Sequence, residues 1–115
     1  MKITIGDTVL TATLVDNSSV TALKNLLKKG PITIQMNDYA GMEKVGPIGS
    51  KIPTNDKQMS TGPGDIILYQ GKYLVIYYDC NSWSLTPIGK IDNITQDQLK
   101  KILGKGDVTA TFSLE

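Results

Sequence analysis

The chain has 115 residues and a mass of 12.5 kDa, which fits one domain spanning 1–115, with enough bulk to bury roughly two-thirds of its unfolded surface without disulfides or metal. Twelve Lys stand against nine Asp and two Glu, for a net charge of +1, and there is no Arg and no His. Those two zeros exclude an imidazole base, Ser-His and Cys-His pairs and His metal ligands, together with any bidentate guanidinium clamp for phosphate, carboxylate or guanine.

Taken in chain order, Ile3 and Ile5 alternate with Lys2 and Thr4, and Gly6-Asp7 then supplies a hairpin turn. A second strand from Thr8 to Val15 puts Leu10, Ala12 and Leu14 on one face. The capping cluster Asp16-Asn17-Ser18-Ser19 precedes Val20, Leu23, Leu26 and Leu27 at helical spacing, which predicts a helix over about Ser19 to Lys29, stopped by Gly30-Pro31. Ile32, Ile34 and Met36 alternate in a third strand running from about Pro31 into Asp38. A long Gly- and Pro-rich stretch from Tyr39 to Gly64 reads as irregular, with a short strand near Glu43-Lys44-Val45. Connections of that length in a small domain are usually functional loops.

Asp65 to Gln70 and Tyr73 to Asp79 form a hairpin around Gly71-Lys72, and Leu85 to Ile91 is a strand broken by Pro87, as at an edge or bulge. Thr95-Gln96-Asp97-Gln98 matches a capping box; Leu99, Ile102 and Leu103 then share a face and Gly104 ends the second helix. Asp107 to Glu115 closes the chain as a strand. Strands and helices do not alternate regularly, which excludes a doubly wound parallel sheet. A mostly antiparallel barrel with two helices over its open ends is the expected architecture, because closure removes sheet edges.

Cys80 is the one cysteine, so no internal disulfide forms, and Asp79-Cys80-Asn81 offers no cation to activate the thiol. No apolar run reaches the length of a membrane span. The opening residues alternate and then turn, without the features of a signal peptide, so the expected location is the cytoplasm. The pairs Lys28-Lys29 and Lys100-Lys101 each sit in a helix's last turn, where they answer its dipole, and no nucleic-acid partner is expected. Gly62-Pro63-Gly64 precedes a strand rather than a helix, and Gly104-Lys105-Gly106-Asp107 lacks the hydroxyl of a phosphate loop. One Cys and no His build no zinc site, and there is no Asp-x-Asp-x-Asp-Gly calcium loop. No metal and no cofactor are expected.

Three segments are distinctive together: Met36-Asn37-Asp38-Tyr39-Ala40-Gly41-Met42-Glu43-Lys44, Gly64-Asp65-Ile66-Ile67-Leu68-Tyr69-Gln70-Gly71 and Asn81-Ser82-Trp83-Ser84-Leu85-Thr86-Pro87-Ile88-Gly89-Lys90-Ile91. Their order and spacing resemble the cyclophilin-like fold family of small bacterial and archaeal proteins, a domain of unknown function, along nearly the whole chain. The resemblance implies a mostly β fold: a closed antiparallel eight-stranded barrel with two capping α-helices. It does not carry prolyl isomerase activity with it. True cyclophilins use an Arg that donates to the prolyl nitrogen and lowers an amide barrier of about 18–20 kcal/mol. That Arg and the family's His are absent here, and Lys44 is a flexible point charge rather than a fixed fork.

Six residues are singled out as ligand-binding candidates: Asn37, Tyr39, Glu43, Tyr69, Tyr78 and Trp83. Glu43 reads as a proton acceptor or ligand partner, and equally as a solvated loop carboxylate or a partner for Lys44. Asn37 and Asp38 end a strand before a turn, where such side chains commonly bond local backbone. Trp83, in the expected loop Asn81-Ser82-Trp83-Ser84, reads either as a pocket wall or as a cover over a barrel end. Tyr39, Tyr69 and Tyr78 fall at strand ends that converge in a barrel. Three functions follow: a module whose cleft, near 37–44 and 81–84, binds a small molecule or peptide; a weak prolyl isomerase working by desolvation; and an enzyme with Glu43 as acid or base beside a Tyr.

Overall fold

In the computed structural model, which describes residues 1–104 and 106–114, the described residues form nine strands and two helices. They are β1 (Lys2–Ile5), β2 (Thr8–Leu14), α1 (Ser18–Lys28), β3 (Ile32–Tyr39), β4 (Glu43–Pro47), β5 (Lys57–Thr61), β6 (Asp65–Tyr69), β7 (Tyr73–Tyr77), β8 (Asn81–Ile91), α2 (Gln96–Leu103) and β9 (Val108–Ser113). Glu115, the expected last strand residue, lies outside the described residues. All pairings are antiparallel, in the order β2-β1-β9-β3-β4-β7-β6-β8-β5. Because β2 also pairs with β8 through Ala12↔Ile91, Thr13↔Lys90 and Leu14↔Gly89, the pairings return on themselves, with β5 attached outside that circuit. Among the described residues no helix is long and apolar enough to cross a membrane.

The strand count corrects the expected eight. Lys57–Thr61 is a strand, β5, inside the stretch read as irregular, and Asn81–Ser84 is the first part of β8 rather than a loop. These two segments pair with each other, Met59↔Trp83 and Thr61↔Asn81 among the partners. Pro87 sits where expected, at an irregularity: the β6–β8 register shifts between Ile66 and Ile67, which pair with Gly89 and Pro87. A bulge tolerates the missing N–H.

Both helices start where their caps dictate. Asn17 Oδ1 accepts from the Val20 N–H at 2.8 Å, so α1 begins at Ser18, one residue before the expected start. In α2 the Gln98 N–H donates to Thr95 Oγ1 at 3.2 Å and the Thr95 N–H donates to Gln98 Oε1 at 3.0 Å, which satisfies two of the four orphan donors of a helix start. Gly104 ends α2 at φ +64°, in the left-handed region.

The inward face of the sheet and the apolar faces of both helices share one core, including Ile3, Leu23, Ile34, Met36, Leu99 and Phe112. Each fully buried side chain of this kind contributes about 1.5–3 kcal/mol. Alternate residues on β4, β6, β7 and β8 point the other way, and Ile67, Val75, Tyr77 and Leu85 form a second, smaller cluster on the outer side, with Met42, Val45 and Met59 against it. That cluster is the floor of the site described next.

Candidate functional site

Strand alternation puts every second residue on the outer face. From β3 come Asn37 and Tyr39, opposite Val45 and Glu43 of β4. From β7, Tyr77, Val75 and Tyr73 stand opposite Glu43, Val45 and Pro47, and Tyr69 of β6 stands opposite Tyr73. Together with Asn81, Trp83 and Leu85 of β8, these side chains line one cleft of about 790 Å³, within the range of small-molecule sites. Gly46 lets β4 pass close to β3 at the wall. A Cβ there would lie 2.3 Å from Ile34 Cγ2 and 2.6 Å from the Gln35 carbonyl.

Of the six expected residues, Asn37, Tyr39, Glu43, Tyr69 and Trp83 line this cleft, and Tyr78 does not. Tyr78 follows the last residue of β7, so its side chain passes to the inner side, where it is buried in the main core and its hydroxyl donates to Asp38. Its neighbour Tyr77 is the cleft residue. Tyr73, Val75, Tyr77 and Leu85 were not singled out from the sequence. The one signal for them was alternation, and β7 is apolar in both parities.

The cleft is aromatic at its rim and acidic at its floor. Tyr39 and Trp83 are 60% and 59% exposed and Tyr69 is 36% exposed, three of the five large apolar side chains that the described surface leaves open. Tyr39 and Tyr69 each precede a left-handed pair, Ala40-Gly41 and Gln70-Gly71, which turns the chain tightly and holds both rings at strand ends. Tyr69 and Tyr73 pack as a tilted pair with centroids 6.4 Å apart. Beneath them Glu43 is 8% exposed. Burial pushes its carboxyl above the usual carboxylate range; the Tyr77 hydroxyl hydrogen bond opposes that rise and the Asp38 charge adds to it. Tyr77 is pushed up to about 12, chiefly by burial, and Asn81 Nδ2 donates to its Oη at 3.3 Å. A chain of donors, amide to phenol to carboxyl, therefore ends at Glu43.

Glu43 is not the partner of Lys44. Adjacent strand residues face opposite ways, and Lys44 is fully buried on the inner side. Its Nζ donates to Asp38 Oδ1 at 3.1 Å, to the Gly104 carbonyl at 3.1 Å and to the Gly106 carbonyl, and it stands 5.5 Å from the Tyr78 ring centroid. The Tyr78 hydroxyl and then Lys44 hold the Asp38 carboxyl below the usual range. No Lys lines the cleft among the described residues.

A family model described as the Cyclophilin-like family matches residues 3–113. The chain belongs to the cyclophilin-like family. Comparison with curated proteins and with solved structures gives no match. In this cyclophilin-like chain the cleft offers apolar floor, aromatic rim, amide and carboxyl, but among the described residues no cationic donor for a prolyl nitrogen. Lys44, the cation nearest in sequence, is spent behind the sheet.

Glu43→Gln isolates the buried carboxyl, since the amide oxygen still accepts from Tyr77. A carboxyl whose folded pKa is raised binds more protons in the folded state, so stability falls as pH rises from its unfolded value of about 4.5 through the folded value. Melting curves between pH 4 and 7 are expected to show that decline flattened in the variant, with Tm at pH 7 equal to or above the parent's. A variant that loses Tm at pH 7 contradicts this account.

Proposed function

We propose that this cyclophilin-like domain is a binding module whose outer cleft takes a small molecule or a short peptide segment. The observation that carries the reading is the convergence of Tyr39, Tyr69 and Trp83, with solvent-open rings, over an apolar floor that contains one buried carboxyl. Such a site combines apolar burial with a few fixed polar groups, the usual make-up of a ligand pocket. Val45, Val75 and Leu85 supply the apolar contact; Asn37, Asn81 and Glu43 orient the ligand.

Prolyl isomerisation is the weaker reading. The family and the apolar floor favour proline binding, but desolvation alone takes little from the rotation barrier, and no guanidinium is present to add to it. Trp83 is the one Trp, so its fluorescence reports the cleft directly. Ligands of the cleft are expected to shift it, and Tyr39→Ala and Tyr69→Ala to weaken them by on the order of tenfold each while leaving Tm within a few degrees. With excess Xaa-Pro peptide, NMR exchange spectroscopy is expected to show no catalysed cis–trans cross-peaks over a background of tens of seconds or longer. Cross-peaks would replace the binding reading by an isomerase that works without Arg.

A further inference from the structure

We infer that the ligand of this cleft carries an organic cation, an alkylated or quaternary ammonium group, seated between the aromatic rim and Glu43; the inference rests on the binding reading above. Five of the seven aromatic residues of the chain, Tyr39, Tyr69, Tyr73, Tyr77 and Trp83, line this one cavity. Ring faces carry negative potential and attract a cation within about 6 Å, and recognition of alkylated ammonium groups by several rings is the main functional use of that attraction. The exposed rings of Tyr39 and Trp83 are free to receive it.

The charge pattern points the same way. The ionisable carboxyls lining the cleft are Asp38 and Glu43, with no Lys among the described lining residues. Asp38 is already held by Lys44 and the Tyr78 hydroxyl. Glu43 has the Tyr77 hydroxyl beside it and no cationic partner among the described residues, and both its burial and the Asp38 charge work against its ionisation. A positive group entering the cleft offsets both by favouring the ionised carboxylate, while an anion meets the Glu43 carboxyl and the negative ring faces. The cavity is far larger than a trimethylammonium group, so that group is the head of a longer ligand whose apolar stem lies along Val45, Val75 and Leu85.

The test compares choline with its neutral isostere 3,3-dimethylbutan-1-ol by Trp83 fluorescence. The two have the same shape and differ by one charge. Choline is expected to bind on the order of tenfold more tightly than the alcohol. Glu43→Gln and Tyr39→Leu are each expected to weaken choline several-fold more than they weaken the alcohol, since Gln removes the charge and Leu keeps the apolar contact but loses the ring face. Equal or tighter binding of the alcohol overturns the cation while leaving the cleft as a binding site. Choline binding that is indifferent to both substitutions places the cation elsewhere and overturns the proposal. A silent Trp83 with both probes overturns it as well, and the cleft itself is then decided by its own mapping with chemically diverse fragments.

Discussion

Lys44→Met is expected to cost about 3 kcal/mol of stability and to lower Tm by roughly 10 °C in a domain of this size. Met keeps most of the volume, so the loss is not a cavity effect. What disappears is the ammonium that satisfies Asp38 and the carbonyls of Gly104 and Gly106. Those carbonyls follow the last turn of α2, and Asp38 is near the end of β3, so a single buried cation ties the helix terminus to the sheet beside the cleft. Asp38 is partly open to solvent, with 27% of its side chain exposed, which puts the cost at the low end for a broken buried pair.

The pH dependence gives a second readout of the same substitution. A carboxyl whose folded pKa is depressed contributes stability that is present above the unfolded value, about 3.8 here, and is lost as pH falls through the folded value. Removing Lys44 takes away one of the three groups that depress Asp38 and leaves the Tyr78 hydroxyl and the Gly41 N–H. The acid limb of the Tm–pH curve is therefore expected to be shallower in the variant. A variant as stable as the parent, with an unchanged acid limb, contradicts the assignment.

Gly89→Ala is expected to be at least as damaging, about 3 kcal/mol or more, through overpacking against backbone. An added Cβ would lie 2.4 Å from the Thr13 carbonyl oxygen and 3.1 Å from Leu14 Cα. Neither is the far end of a flexible side chain, so β2 and β8 must separate. Their pairing brings the sheet circuit back on itself, and the flanking bonds, Val15 N–H to the Ile88 carbonyl at 2.9 Å and Asp92 N–H to the Thr11 carbonyl at 2.8 Å, loosen with it. Hydrogen exchange at Val15 and Asp92 is expected to accelerate ahead of the rest of the sheet. Gly62→Ala is the control: nothing lies within 4 Å of a Cβ there and its φ is not left-handed, so a change within about 0.5 kcal/mol is expected. Equal losses at the two glycines would refute the close-approach argument.

The helices and most strands were legible because local chemistry and packing agree in them. The Thr95–Gln98 box and the Asn17 cap are local hydrogen bonds, and residues such as Leu23 and Leu99 repeat at the helical period over one buried face. β5 and the start of β8 were not legible, because Lys57–Thr61 and Asn81–Ser84 carry one large apolar residue each, Met59 and Trp83. Each of the two makes sense only against the other, across the Met59↔Trp83 pair. A polar segment at a sheet margin has no alternation to read.

The cleft was half legible for a related reason. Tyr39, Glu43, Tyr69 and Trp83 were identifiable from segments that resemble the family. Choosing between Tyr77 and Tyr78 needs the parity of β7, and that strand buries Leu74 and Ile76 on one side and Val75 and Tyr77 on the other. Composition cannot break such a tie. Glu43 and Lys44 are adjacent and opposite in charge, which suggests a pair, yet a pleated strand sends them to different faces and Lys44 finds Asp38 instead.

Whether the outer cleft is a binding site is tested most directly by amide chemical-shift mapping on labelled protein with a fragment collection that spans neutral, anionic and cationic aromatic and aliphatic molecules. Binders are expected to perturb residues 37–46, 69–77 and 81–85 together, with the Trp83 indole among the largest shifts, and cationic fragments are expected to be enriched among them. Binders that gather on another surface, or a collection that leaves these three segments unshifted, would contradict a binding role for the cleft.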